Sequence, residues 1–389
     1  MPYAVAPRCN QFCSKSGTAN LLTPTNQAIF QTIVTFVGLF RVALAISVVL
    51  SHIVKTETPF YQGFGGTNAV EIFFLVSGFY IALILDKTYK SKKIFYLNRV
   101  LRLYPIYLVV CSLVLIISLF RRGVAENLFD YSPFVLMISI FSNLTLIGTD
   151  WLMFFDTSNG GIHFTSSVVT GDRMRDLLWI APAWSLGIEI TFYAFAPILC
   201  KRRSKALIAT IITLVTARIL FNQSDLNFTE SSFDARFFPF ELPYFLVGVL
   251  LYRIKRDSKL GIEISLKYLY PALVVFFLIF EPLRSGLDLS RAMSMTTLVI
   301  VATVVVLFGQ YSEFDRKFGE LSYPIYISHV FIAQVYEFFS TGLVKKFSIL
   351  ENNQISLLLK VLLIVVSSYF LLQITKPIEK IRDKNRNIN

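Results

Sequence analysis

Charge is scarce in this 389-residue sequence: Asp, Glu, Lys and Arg make up 16% of it, against about 25% in a typical soluble domain. Hydrophobic residues reach 54%, Phe alone numbers 37, and the mean hydropathy is +0.60. A chain this apolar cannot hide its hydrophobic surface in one water-soluble core, so a soluble globular protein is excluded. Cysteine is equally sparse. Of the four, Cys9 and Cys13 lie in the N-terminal tail, and Cys111 and Cys200 lie in or beside apolar segments. That is no disulfide framework. Only three histidines occur, and no Cys/His cluster, HExxH, P-loop or GxSxG is found, so metal and serine-hydrolase chemistry have no support. No metal site is expected. Residues 1–27 are mostly polar, so no cleaved signal peptide is expected either. Linker-rich boundaries, low-complexity tracts and internal repeats are absent too.

What the sequence does have is long apolar runs. A spanning helix needs about 20 mostly apolar residues. Ten segments qualify: 35–54, 69–86, 103–120, 180–200, 206–222, 238–253, 268–280, 292–309, 321–340 and 355–375. Several of these are short or contain a proline, and 133–148 is an eleventh possibility. The fold class expected is an all-α integral membrane protein with about ten transmembrane helices.

The net charge of +12 does not signal nucleic acid, because the basic residues are dealt out between apolar segments rather than gathered on one face. They report orientation instead. With ten spans and both termini cytoplasmic, inner loops hold 24 Lys and Arg and outer loops hold 10. A full crossing by 133–148 would move KRRSK and RIKRDSK outside. That segment is therefore read as re-entrant or surface-lying within an outer insertion, 121–178. The expected organisation is a cytoplasmic tail 1–34, one membrane domain 35–378 and a cytoplasmic tail 379–389.

Ionisable residues inside spans are costly and are functional candidates by default. The first span carries Arg41 and His52. Eleven steps of about 100° bring them to one face, with about 16 Å of helix between them. Glu71, at the start of the second span, should lie near the depth of His52 on an antiparallel hairpin, and a carboxylate there would orient the imidazole. Arg99 and Arg102, three apart, share one helix face suited to a phosphorylated ligand. Glu189, flanked by Trp184 and Tyr193, is a buried carboxylate needing a partner or a task. His329 lies mid-span with Ser322, Tyr323 and Tyr326 nearby. Glu241 reads as interfacial and His163 as a solvated loop residue.

In order along the chain, GLFRVALAISVVLSH, VEIFFLVSGFYIA, FYLNRVLRLYPIY, APAWSLGIEITFYAFAP, ELPYFLVGVLLY and LSYPIYISHV resemble the acyltransferase-3 family of bacterial membrane O-acyltransferases. The resemblance runs from about residue 36 to 378. It implies transfer of an acyl group, commonly acetyl, from cytoplasmic acyl-CoA as co-substrate to a carbohydrate hydroxyl, within the inner (plasma) membrane. On matching positions it implies Arg41 and His52 as the essential pair, with Glu71 and Glu189 beside them. It implies Arg99, Arg102, Ser77 and Gly78 at the donor, and Trp184, Tyr323 and His329 at the acceptor. The hydrolase-like domain appended in longer members is not expected. Expected partners are membrane lipids, the donor, a carbohydrate acceptor and polysaccharide-synthesis proteins. Two other classes also suit aromatic spans with buried charge. One is a carrier for a lipid-linked glycan, which would consume no thioester and usually shows paired repeats. The other is a membrane acyltransferase of a different class acting on lipid or protein.

Overall fold

The computed structural model describes residues 37–54, 63–89, 91–120, 131–157, 161–164, 173–223, 233–258, 265–287, 289–309, 312–344 and 352–387. The first tail, with Cys9 and Cys13, lies outside these. Each of the ten apolar segments falls in a helix. They are α1 (Gly38–Ile53), α2 (Gly66–Lys87), α3 (Lys92–Phe120), α5 (Ala183–Leu199), α6 (Ser204–Gln223), α7 (Phe238–Asp257), α8 (Leu266–Gly286), α9 (Arg291–Phe308), α11 (Ser322–Val344) and α12 (Asn353–Asn387). Among the shorter helices are α4 (Pro133–Thr145) and α10 (Glu313–Glu320). Among the described residues, the only strands are a two-residue ribbon, Phe155–Asp156 with His163–Phe164, in the insertion. Six helices, α2, α3, α6, α8, α9 and α12, are long and apolar enough to cross a membrane. The protein is an all-α membrane protein.

The burial pattern has the sign expected of lipid as solvent. Large apolar side chains face outward around the molecule, among them Ile212, Leu220, Leu278, Phe338 and Leu358. In water such a girdle would be a liability; in hydrocarbon it is ordinary surface. The peripheral α6 buries only Leu207 along its described length. The helices of the core instead bury polar groups, including Glu71, Arg99, Glu241, Asp315 and His329. Because lipid tails are as apolar as Leu, helices there associate through close packing, and small residues permit it. On α2 and α7, a Cβ added to Gly78 would come within 2.0 Å of the Phe245 carbonyl oxygen, and one added to Gly248 within 2.0 Å of that of Leu75. The two backbones touch there.

Helix α4 is too short to cross, at 13 residues and about 20 Å. Its outward row, Phe134, Met137, Phe141 and Leu144, is apolar and exposed, while Ser139, Ser142 and Asn143 point inward. The inner face is bonded to the rest of the insertion: Ser139 Oγ donates to the Leu177 carbonyl at 3.1 Å, and the Trp179 N–H donates to Asn143 Oδ1 at 2.9 Å. Tyr107 of α3 donates to the Asn143 carbonyl at 2.7 Å.

Helix α1 lacks a side-chain cap of its own, since Val37 precedes it. Asp315 of α10 supplies one from 277 residues away. Its carboxylate accepts from Gly38 N–H at 2.7 Å and Leu39 N–H at 2.9 Å, satisfying two of the orphan donors of a helix start. The approach is close, because a Cβ on Gly319 of α10 would lie 2.5 Å from the Gly38 Cα.

Candidate active site

Two adjoining voids run through the molecule between α1, α2, α3, α5 and α11. The first spans about 710 Å³, part of it open to solvent, and is lined by Arg41, Ser77, Arg102, Glu189 and Tyr326, among others. The second, about 1100 Å³, opens toward α10 and the end of α12, past Asp315, Arg316 and Arg382. Arg41, Tyr80, Arg99, Arg102 and Tyr323 line both. The joint between the voids is therefore a collar of guanidiniums. Helix α3 begins at Lys92, eleven residues before the apolar run starts, so Arg99 and Arg102 ride on the same rigid helix as the span.

Neither Arg41 nor Arg102 forms an ion pair with a carboxylate among the described residues, and the two guanidiniums repel one another. The Arg99 guanidinium lies 5.8 Å from the ring centres of both Phe95 and Tyr193, a cation–π clamp that fixes its plane. Three cations therefore meet where the two voids join, two of them without an ion-paired carboxylate among the described residues.

Above the collar sits Glu189. Its Oε1 accepts from Ser77 Oγ at 2.9 Å and from the Tyr193 hydroxyl in a very short bond. Tyr323, on the wall, donates to the Leu103 carbonyl at 2.8 Å. Ser185 and Tyr326 share a hydrogen bond of 2.7 Å. Phe73 and Tyr326 then close the wall edge to face, with ring centres 6.1 Å apart.

At the far end of α1 the imidazole of His52 packs on that of His329, 5.0 Å between ring centres. Tyr326 is the link to the void: it lines it, and its ring lies 6.2 Å from that of His329. His52 Nδ1 lies 2.8 Å from the Val48 carbonyl, and His329 Nδ1 lies 2.7 Å from the Tyr326 carbonyl. A carbonyl oxygen only accepts, so in each neutral ring Nδ1 carries the hydrogen and Nε2 the lone pair. His329 is fully buried, and its Nε2 has no hydrogen-bond partner among the described residues.

The expected His52–Glu71 contact does not form. Glu71 is fully buried, and its Oε1 accepts from Arg218 of α6 at 3.0 Å and Arg291 of α9 at 2.9 Å. Arg218 also lies 3.9 Å from Glu241, which is buried rather than interfacial. Glu71 turns instead to α6 and α9. The orienting partner of His52 is its own helix backbone. Gly78, expected at the donor, faces α7, and Ser77 beside it faces the void. Trp184, expected at the acceptor, is absent from the void's lining and holds the Arg236 guanidinium 5.1 Å above its ring. His163 is exposed, as a loop residue would be. Sequence reasoning did not single out Tyr80, Asp315, Arg218 or Arg291. Asp315 had no signal beyond its place in a charged stretch. Cys111 and Cys200 are free thiols, and no group of three or more metal-ligating side chains occurs among the described residues.

Residues 34–373 match the family model described as "Acyltransferase domain" (Acyl_transf_3). An uncharacterized protein of Aquifex aeolicus (strain VF5) is 30% identical over 210 residues, covering 52% of this chain and 89% of that protein. No solved structure matches.

Proposed function

The chain belongs to this acyltransferase family, and from that premise we propose that it moves an acyl group, acetyl in the simplest case, from acyl-CoA to a hydroxyl of an envelope or lipid-linked carbohydrate. The observation that carries the reading is the collar of Arg41, Arg99 and Arg102 between the two voids. A guanidinium fork binds phosphate oxygens bidentately, and three guanidiniums gathered at one place, two of them without an ion-paired carboxylate among the described residues, suit a polyanion. A nucleotide-bearing thioester has that charge, with a slender arm to thread past the collar.

In this reading ten helices cross the inner membrane with both termini cytoplasmic, as the Lys and Arg asymmetry favours. The wider void is then the cytoplasmic vestibule. The phosphates rest against the collar, and the acyl thioester points toward Glu189 and the histidine pair. An acceptor hydroxyl enters from the outer side. His52 Nε2, left unprotonated by the Nδ1–H···Val48 bond, takes its proton as the oxygen attacks the acyl carbon. Base assistance of that kind is typically worth about 10²–10⁴ in rate.

Inverted membrane vesicles carrying the protein, supplied with labelled acetyl-CoA, test this. Wild type should transfer label to glycan, releasable by mild base as an ester is. His52→Ala should lower that transfer by about 10²-fold or more. Equal transfer by both would discard His52 as the base. Absence of thioester consumption in membranes of the native host would instead favour a carrier.

A further inference from the structure

One pair of groups in the first void is left unused by that scheme. Ser77 sits mid-helix on α2, between the glycine contact with α7 on one side and the void on the other. Its hydroxyl donates to Glu189 Oε1 at 2.9 Å, and the Tyr193 hydroxyl donates to the same oxygen. A serine held on a half-buried carboxylate inside a ligand cavity is a nucleophile with its base in contact. The wall around it supplies the remaining parts. Arg41 and Arg102, neither ion-paired to a described carboxylate, line the same void and can stabilise an oxyanion. Phe73, one helical turn from Ser77 toward the histidine end, meets Tyr326, which abuts His329. Phe73 lies about 6 Å along α2 from the serine, and Tyr326 carries the wall of the void from there to the histidine pair, which packs behind that wall.

Resting on the acyl-CoA reading above, the geometry points to Ser77 as a covalent relay: the acyl group passes to Ser77 before it reaches the acceptor. In the first half-reaction Ser77 Oγ gives its proton to Glu189 and attacks the thioester carbonyl. The C–O bond forms, the C–S bond breaks, and the departing thiolate takes the proton from Glu189 to leave as CoA–SH. In the second, the acceptor hydroxyl gives its proton to His52 and attacks the serine ester. Its C–Oγ bond breaks, and the proton taken up by His52 is returned to the Ser77 oxygen, restoring the hydroxyl that donates to Glu189. Nothing is oxidised or reduced. The division separates the two substrates in space: the donor never has to reach the histidines, and the acceptor never has to reach the collar.

The test uses the full chain in inverted vesicles with acetyl-CoA labelled in the acetyl group. The His52→Ala variant, blocked in the second half, should release close to one CoA per protein in a burst. It should then carry one acetyl group on the tryptic peptide containing Ser77, removable by hydroxylamine. His52→Ala combined with Ser77→Ala should carry none, and Ser77→Ala alone should lose transfer by 10²-fold or more with KM for acetyl-CoA within a few-fold of wild type. Ser77→Cys should hold the group as a thioester, which is more readily discharged by hydroxylamine. Gel filtration of the detergent-extracted variants shows whether they fold. The relay is overturned if His52→Ala releases no CoA, releases it with no acyl group on Ser77, or carries the group on another residue. It is equally overturned if a folded Ser77→Ala transfers at the wild-type rate. If wild type itself cleaves no thioester, the acyl-CoA reading fails, and the relay falls with it.

Discussion

Asp150 shows how a single buried group reports on the environment of the outer insertion. It lies outside the spans, is 1% exposed, and its Oδ1 has no hydrogen-bond partner among the described residues. Burial pushes its carboxyl up from 3.8 to about 6, only partly opposed by its own backbone N–H and that of Trp151. The raised value means that the fold favours the protonated form. The stabilisation is therefore complete below pH 4 and is lost as pH rises through 6, by roughly 3 kcal/mol. Asp150→Asn should remove that dependence. Thermal unfolding of the detergent-extracted protein between pH 4 and 8 should decline for wild type and run nearly flat for the variant across the Asp150 transition; parallel curves would contradict the assignment. At this same scale the histidines show what a lone sequence withholds. His52 and His329 each stood out as an ionisable group in a span, and nothing in either segment says that residues 277 apart share an edge-to-face contact. For Glu71 the sequence did not say which face of α2 it would occupy. It found its partners on α6 and α9 instead of α1.

The helices themselves were legible because the signal for them, a run of apolar residues long enough to cross hydrocarbon, is local. All ten apolar segments are helical, and α4 is too short to cross, with its polar residues bonded inward. What holds one helix to another was less legible. Asp315 reads in the sequence as part of a solvated charged stretch, yet it caps α1, the helix that carries Arg41 and His52. Removing it should cost about 1–2 kcal/mol for the cap. Asp315→Ala should therefore lower the unfolding temperature and loosen transfer, whereas Glu313→Ala on the exposed side of α10 should do neither; equal effects would dismiss the cap. Glycines carry a similar lesson. Gly78 stands in a motif that resembles a donor site, but its missing Cβ is what lets α2 and α7 touch. Gly248→Ala should sharply reduce the folded protein recovered, since its Cβ would fall 2.0 Å from a carbonyl oxygen. Gly286→Ala, with nothing within 4 Å, should be tolerated. Comparable recovery of both variants would show that the backbones can separate without harm.

Across the whole molecule, the apolar girdle, the polar interior and the paired voids describe a protein that uses lipid as its outer solvent and keeps its charges for the inside. The charges form two separate systems. Glu71 and Glu241 with Arg218 and Arg291 tie α2, α6, α7 and α9 together by ion pairing. The collar of Arg41, Arg99 and Arg102 lies apart from these, on the walls of the two voids, and in the proposed reading it takes the anionic donor. The sequence singled out the collar arginines and the two carboxylates but not Arg218 or Arg291, nor how the charges divide, because the division depends on which faces of the helices meet. The central claim is that this collar takes the phosphates of a thioester donor from the cytoplasmic face. Thioester cleavage, followed with acetyl-CoA added to inverted and to right-side-out vesicles, tests it most directly, with Arg102→Gln beside wild type. The account predicts cleavage in inverted vesicles alone, with KM for acetyl-CoA raised about 10–100-fold in the variant, the worth of one charge-assisted hydrogen bond. Cleavage from the opposite face, or an unchanged KM in Arg102→Gln, would contradict it.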